Sequence, residues 1–360
     1  MTEKFISILA SGTGGHVYPA YTIANELINK GYKIIWIGTK SGIENAVIKN
    51  EAIKIKHIDS AGIRGKSFIK KVSGFFLLIK SIFQAYYILK EYKPVLVIGF
   101  GGYVSVSGSF ISYLLKIPLI IHEQNSIAGT ANKINYFFSK IVFETFPNSF
   151  SKVEKKIIHT GNPVRDIFTN LEKPEDKYIS HNPYLNILTI GGSQGSSFFN
   201  ECLPFAFSYF NNQNISIKHL SGKGNKDLLE ERYKKYKIEA EVIEYSDNMD
   251  TLYNWASLII CRAGSTTISE ISKVGRAVIL VPFPHATDNH QFYNANYLAN
   301  QSACILLEQT ETFVEDFVNT INILLNNQKR MYTLSKNIQE VFPKKSLETI
   351  LNTSINTINE

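Results

Sequence analysis

The sequence predicts an α/β protein made of two doubly wound domains facing one another, each a parallel sheet with helices on both sides. Three observations carry that expectation. Short apolar runs alternate with helix-length segments along the whole chain, the signature of β–α units on a parallel sheet. A glycine-rich turn, Ser11-Gly12-Thr13-Gly14-Gly15-His16, follows the first apolar run. A second series of runs opens the same way, with residues 187–190 leading into Gly191-Gly192-Ser193-Gln194-Gly195-Ser196.

In chain order, residues 5–10 read as a buried strand and 17–30 as a helix closed by Gly31. Between them the glycines permit positive φ and close approach of the backbone to a ligand. The helix start offers N–H groups to an anion, and His16 can carry a proton near neutral pH. Further strands are expected at 33–37, 95–98, 119–122 and 140–143. The second series runs 186–190, 215–219, 241–243, 258–261 and 277–281. The polar stretch 162–184, with Pro174 and Pro183, reads as the junction. Residues 311–360 read as polar helices without a chemical motif. Doubly wound sheets bind ligands at the carboxyl ends of their strands, where these loops fall. One glycine loop is as readily a plain β–α turn, but several in one chain, each at a strand end, favour a ligand.

The chain has 360 residues, 44% apolar and 19% charged, enough for two ordinary domains. Cys202, Cys261 and Cys304 lie far apart with no CxxC pair, which argues against a disulfide framework or a zinc site. No cleavable leader pattern is present, and no apolar run approaches the roughly 20 residues of a spanning helix, so a cytoplasmic protein is expected. The net charge of +7 suggests anionic partners. Nucleic acid is not expected, because basic residues do not interleave with aromatics outside one amphipathic stretch.

That stretch lies between Asp59 and Glu91, where there is no acid, while Arg64, Lys66, Lys70, Lys71, Lys80 and Lys90 are basic. Phe75, Phe76, Leu78, Ile79, Ile82, Phe83 and Tyr86 form an apolar band at helical spacing. Such a helix lies on an anionic membrane surface or packs on its own sheet with a basic rim, and different faces can do both.

Two common nucleotide chemistries are disfavoured. A dinucleotide fingerprint needs a third glycine where Val17 stands, and Ile37-Gly38-Thr39-Lys40 offers no acid to a ribose. The Gly-Lys-Ser of residues 65–67 lacks the spacing of a phosphate-binding ATPase loop. In the second half, Cys261-Arg262-Ala263-Gly264-Ser265-Thr266 follows a strand, and its Ser/Thr run suits an N-cap and first turn facing a diphosphate. Glu270 sits about one turn further, placed to accept ribose hydroxyls or to cap the helix. Gln291 and Asn294 share a helix face, as sugar readers or as surface amides.

Together these motifs are similar to the MurG family of bacterial transferases, in glycosyltransferase family 28. The stretches that match are residues 12–20, 99–105, 122–129 with its His122-Glu123-Gln124-Asn125, 161–165, 191–195, 261–270 and 288–295, in family order. The resemblance implies a GT-B fold of two Rossmann-like domains with the active site in the cleft between them. It implies residues 1–165 as the acceptor and membrane-associated domain, 166–340 as the UDP-sugar domain, and 341–360 as a helix returning to the first. It implies UDP-N-acetylglucosamine as donor, lipid I as acceptor and no cofactor, at the cytoplasmic face of the cell membrane as a peripheral protein.

Carried over by motif, Thr13, Gly14 and Gly15 belong to the donor and acceptor cleft, and Asn125 and Arg165 are donor contacts. Ser193, Ser265 and Thr266 meet the diphosphate, and Ser246 offers its main chain to uracil. Glu270 takes the ribose, and Gln291 with Asn294 the sugar. Phe75, Phe76, Ile79, Phe83, Lys70, Lys71 and Lys80 form the membrane patch. His16 is the expected base, with His122 and Glu123 as alternatives. No Asp-x-Asp motif occurs, so no metal is expected. Tyr18, Ala20 and Ser246 depart from the residues common in relatives, and 284–289 is a stretch of variable length. Three other readings stay open: another UDP-sugar glycolipid transferase of this fold, a UDP-sugar epimerase, and a non-catalytic nucleotide-binding membrane scaffold.

Overall fold

A computed structural model describes residues 3–60, 68–151, 154, 156–179, 185–192, 195–211 and 213–360, with the backbone alone over 68–73 and at 75. The chain divides into two compact units, Met1–Val164 with Lys345–Glu360, and Arg165–Lys344.

The first unit runs β1 (Phe5–Leu9), α1 (Gly14–Asn29), β2 (Lys33–Gly38), α2 (Glu44–Val47), β3 (Ile53–His57), α3 (Phe68–Tyr92) and β4 (Leu96–Gly99). It continues through α4 (Gly102–Leu114), β5 (Leu119–Glu123), α5 (Thr130–Asn135), β6 (Ile141–Glu144) and β7 (Ile157–His159). Among the described residues these strands form one parallel sheet of order β3-β2-β1-β4-β5-β6-β7. Side chains alternate across a strand, so the sheet has two apolar faces. Ile6, Ile8, Ile34, Trp36 and Ile98 pack under α1 through Val17, Ile23 and Leu27. Leu9, Ile35, Ile37 and Val97 face the other way, onto Ala85 and Leu89 of α3 and Val104 and Ile111 of α4. Helix α4 sits close on β1: a Cβ on Gly108 would lie 2.6 Å from Leu9.

The second unit runs α6 (Pro174–Ile179), β8 (Leu185–Ile190), α7 (Ser197–Phe207), β9 (Ile215–Leu220), α8 (Lys226–Lys235), β10 (Glu241–Ile243) and α9 (Met249–Trp255). Then follow β11 (Leu258–Cys261), α10 (Ser265–Val274), β12 (Ala277–Leu280), α11 (His290–Ala299), β13 (Ile305–Leu306), α12 (Phe313–Leu325) and α13 (Gln328–Glu340). Its parallel sheet has the order β10-β9-β8-β11-β12-β13 among the described residues. Phe199, Leu203 and Phe207 of α7 and Phe313, Phe317 and Ile321 of α12 pack on one face. The last helix, α14 (Ser346–Asn359), belongs to the first unit, where Ile350 and Leu351 join the cluster under α1.

Both sheets reverse strand order once, at β1/β4 and at β8/β11. At such a switch point the two adjoining loops diverge and leave a crevice. The expected ten strands are all present, and β3, β7 and β13 are additional. Each of the three ends or edges its sheet. In β3, Ile53 is buried while Lys54 is exposed, so no continuous apolar run marks it.

Candidate functional site

In the first unit, the loop after β1 and the loop after β4 meet at the switch point. Trp36 donates its indole N–H to Ala10 O at 2.9 Å, fixing the end of β1. Thr13, exposed, is the N-cap of α1, and the backbone N–H groups of His16 and Val17 both reach Thr13 O, at 3.1 and 3.2 Å. Gly14 and Gly15 form the half-buried first turn. His16 Nδ1 lies 3.4 Å from Ser11 O. With Nδ1 as the donor, the lone pair belongs to Nε2. Nε2 faces Gly101, where an added Cβ would stand 3.2 Å away. Gly101 itself has φ +95°, and α4 begins at the next residue. Its backbone requires a glycine there, and a Cβ would also press on the imidazole beside it.

The last two residues of β5, His122 and Glu123, are packed, not presented. His122 is fully buried, and burial pushes its imidazole down to about 4. Its Nε2 donates to Gly161 O at 3.2 Å, while Nδ1 accepts from Gln124 Nε2 at 3.1 Å. Glu123 Oε1 accepts the backbone N–H of Asn125 at 2.9 Å, and Oε2 accepts Gly129 N–H and Asn132 Nδ2 at 3.1 and 2.9 Å. The two alternatives to His16 are thus engaged in shaping this loop. What they shape includes Asn125, half-buried beside Glu123.

In the second unit, the loops after β8, β10, β11 and β12 lie at the carboxyl ends of the strands. Ser193 lies outside the described residues. Beside it, Ser196 caps α7, its Oγ accepting Phe199 N–H at 3.3 Å. The Ser/Thr run after β11 does not supply the expected cap: Gly264 is the N-cap of α10 and makes no side-chain cap, because Ser265 is already the first helical residue. The buried Oγ1 of Thr266 has no hydrogen-bond partner among the described residues. Ser246 lies in the loop after β10, its Oγ accepting Asn248 N–H at 3.1 Å. Arg262, whose pKa burial draws down to about 10, reaches Ser196 Oγ at 3.2 Å and Gln309 Oε1 at 2.9 Å. It thereby ties the α7 cap to the region beyond β13.

Glu270, in the second turn of α10, is 8% exposed. Arg165 Nη2 donates to its Oε1 and Tyr253 Oη to its Oε2, each at 3.1 Å. Burial raises the acid's pKa, and Arg165 and Tyr253 draw it back. Gln291 Oε1 accepts Phe283 N–H at 3.0 Å, and buried Asn294 donates to Ala263 O at 3.1 Å. Both amides of α11 therefore line loops that follow β11 and β12, and the surface-amide reading of Asn294 fails. Tyr253 carries no sequence signal of its own, and Arg262 falls in the matched stretch 261–270 without a stated role; the fold places both here.

Helix α3 packs Ser81, Ala85 and Leu89 inward and turns Phe76, Ile79, Phe83 and Tyr87 outward, with Phe76, Phe83 and Tyr87 at 65%, 61% and 68% exposure. The side chains of Lys70, Lys71 and Phe75 lie outside the described residues. Lys80 is exposed and pairs with Asp59 at 2.7 Å. Tyr113 and Leu114 of α4, Ile134 of α5 and the nearby Phe137 are also exposed, as are Lys116 and Lys133. Among the described residues, no helix is long and apolar enough to cross a membrane.

Comparison with known proteins agrees with this arrangement. The glycosyltransferase family 28 N-terminal domain matches residues 6–144 and the family 28 C-terminal domain residues 186–350. A relative from Psychromonas ingrahamii, named UDP-N-acetylglucosamine–N-acetylmuramyl-(pentapeptide) pyrophosphoryl-undecaprenol N-acetylglucosamine transferase, is 38% identical over 334 residues, 93% of each chain. One of the same name from Coxiella burnetii is 34% identical over 347 residues, 96% of each. The crystal structure of Acinetobacter baumannii MurG superposes with a TM-score of 0.85 at 32% identity, covering 98% of this chain and 99% of that one. The chain belongs to glycosyltransferase family 28.

Proposed function

We propose that this protein transfers N-acetylglucosamine from UDP-N-acetylglucosamine to the C4 hydroxyl of the muramoyl-pentapeptide of lipid I, giving lipid II for peptidoglycan synthesis. The observation that carries the donor half is Glu270. It is a buried carboxyl whose two donors are side chains, beside a helix start that has a glycine cap and a Thr266 hydroxyl without a partner among the described residues. A nucleoside diphosphate supplies what each lacks: ribose hydroxyls for the carboxyl and phosphate oxygens for the N-terminus of α10. Ser246 offers its backbone to uracil, Ser193 and Ser265 meet the diphosphate, and Gln291 and Asn294 read the sugar. Arg165 and Asn125 complete the donor contacts.

The reaction is a single displacement with inversion. The C4 oxygen bonds to the anomeric carbon as the bond from that carbon to the phosphate oxygen breaks, and the hydroxyl proton passes to His16 Nε2. The UDP leaves as an anion held by helix and loop N–H groups. Gly14, Gly15 and Thr13 shape the first-unit loop, and the α4 N-terminus beside His16 suits the acceptor's lipid diphosphate. The exposed aromatics of α3 with their flanking lysines rest on the cytoplasmic face of the cell membrane, from which the acceptor comes.

The decisive assay incubates the protein with UDP-N-acetylglucosamine and a lipid I analogue, with other UDP-sugars as controls. Transfer of N-acetylglucosamine alone is expected. Transfer of another sugar would move the chain to a different glycolipid synthase, and no transfer with intact UDP binding to a scaffold. His16→Ala should lower kcat by roughly 10²–10⁴-fold with UDP affinity unchanged. Near-normal turnover would remove His16 from the mechanism.

A further inference from the structure

We infer that Glu44 is a positioning residue for the His16 loop, holding that loop in its working shape from beneath. The inference rests on the reading of His16 as the base. Glu44 is fully buried, yet neither the glycine motifs nor the family motifs include it. It opens the one-turn helix α2, and its carboxyl turns back under two loops. Oε1 accepts the backbone N–H of Thr39 at 2.7 Å and Thr39 Oγ1 at 3.3 Å. Oε2 accepts the backbone N–H of Gly12 at 3.4 Å. Thr39 Oγ1 in turn lies 2.8 Å from Ser11 Oγ, and Ser11 O is the acceptor for His16 Nδ1. A continuous chain of contacts therefore runs from Glu44 through Thr39 and Ser11 to the imidazole, with a second arm to Gly12.

The surroundings are built for this carboxyl. A Cβ on Gly38 would lie 2.6 Å from Oε1, and one on Gly42 would lie 2.0 Å from Oε2. Two glycines thus leave room for the acid and nothing larger. All its donors are N–H or O–H groups, which a carboxylate accepts on both oxygens and an amide on only one. In Glu44→Gln one side must face donor to donor. If the amide oxygen keeps Thr39, the amide nitrogen meets Gly12 N–H and pushes at the loop carrying Thr13 to His16. A displacement of about 1 Å at a reacting group costs on the order of a hundredfold in rate.

The test is steady-state kinetics with UDP-N-acetylglucosamine and a lipid I analogue on full-length Glu44→Gln, His16→Ala and the double variant. Thr39→Val serves as a milder, same-size cut in the same chain. Expected for Glu44→Gln is a kcat lower by about ten- to a hundredfold, with KM for UDP-N-acetylglucosamine within about twofold. In the His16→Ala background the same change should cost less than about twofold, since it acts through a group already removed. Unchanged kcat in Glu44→Gln alongside a crippled His16→Ala overturns the proposal and leaves His16 as the base. An equal loss in both backgrounds also overturns it, because Glu44 then acts elsewhere. A near-normal His16→Ala overturns the reading beneath it. If Glu44→Gln does not fold, Thr39→Val decides by the same three comparisons.

Discussion

Replacing Tyr253 with Phe takes one donor from the Glu270 carboxyl and leaves the buried ring in place. Tyr253 Oη lies 3.1 Å from Oε2 and Arg165 Nη2 3.1 Å from Oε1, so the variant keeps half of the arrangement. A hydrogen bond to a charged group contributes roughly 1.5–3 kcal/mol. Arg165 can settle over both oxygens, which brings the net loss to about 1–2 kcal/mol. With Glu270 holding the donor's ribose, the loss falls on donor binding. At about 1.4 kcal/mol per tenfold, KM for UDP-N-acetylglucosamine should rise about 5- to 30-fold. The ribose is remote from the anomeric carbon, so kcat should stay within about twofold. Burial already raises the pKa of Glu270, and Tyr253 is one of the groups opposing it. Without Tyr253 the carboxyl protonates at a higher pH, and donor binding should weaken earlier as pH falls. The discriminating measurement uses a UDP-sugar made from 2′,3′-dideoxyuridine, which has no hydroxyls for Glu270. Against that donor the wild type and Tyr253→Phe should differ by less than about twofold. An equal penalty with both donors, or none with either, would refute the assignment of Glu270 to the ribose.

Acid stability gives a second test. His122 and His219 are fully buried, and burial pushes them down to about 4 and about 3. Below 6.5 the unfolded chain takes up protons that the folded chain refuses, so stability is full above that pH and lost as pH falls through the window. At roughly 1.4 kcal/mol per unit, His122 alone accounts for about 3 kcal/mol between neutrality and pH 4. Urea midpoints at pH 7.5 and 5.0 should draw together in His122→Gln, and an unchanged gap would count against it. Gly195→Ala should destabilise by at least about 2 kcal/mol, or roughly 4–8 °C in Tm, because Gly195 has φ +75° and an added Cβ would meet Ser221 O at 2.2 Å. Calorimetry showing a wild-type melting point would contradict this. Changing Phe76, Ile79 and Phe83 to Ser should weaken sedimentation with anionic liposomes at least about tenfold without lowering Tm, since all three are exposed. Undiminished liposome binding would remove α3 as the anchor.

The central strands were legible because parallel sheets bury both faces and write themselves as unbroken apolar runs, as in β1, β4 and β11. Edge strands such as β3 and β13 escaped because they are half-solvated or only two residues long. The loops were legible because glycine is favoured where the backbone takes a strongly positive φ, as at Gly101 (+95°) and Gly195 (+75°). What composition and spacing did not reveal were the side chains that hold those loops from a distance. Glu44 is separated from Gly12 by 32 positions and Arg262 from Ser196 by 66, with no periodicity connecting them.

The buried carboxyls also show why a sequence alone cannot rank candidate acids. Four of them lie near the carboxyl ends of strands, and their partners sort them. Glu44 accepts the backbone N–H groups of Thr39 and Gly12. Glu123 accepts those of Asn125 and Gly129, and Glu144 those of Asn148 and Ser149. A backbone N–H is fixed by the chain, so such a carboxyl can leave its partners only by breaking the loop it shapes. It is therefore committed to shaping its loop, as Glu123 is to the turn from Asn125 to Gly129. Glu270 differs in kind: its two donors are the side chains of Arg165 and Tyr253, and Arg165 keeps 33% of its side chain exposed. A side-chain donor can change rotamer without breaking a loop, which a main-chain N–H cannot. The same residue type thus meets main-chain donors in one unit and side-chain donors in the other.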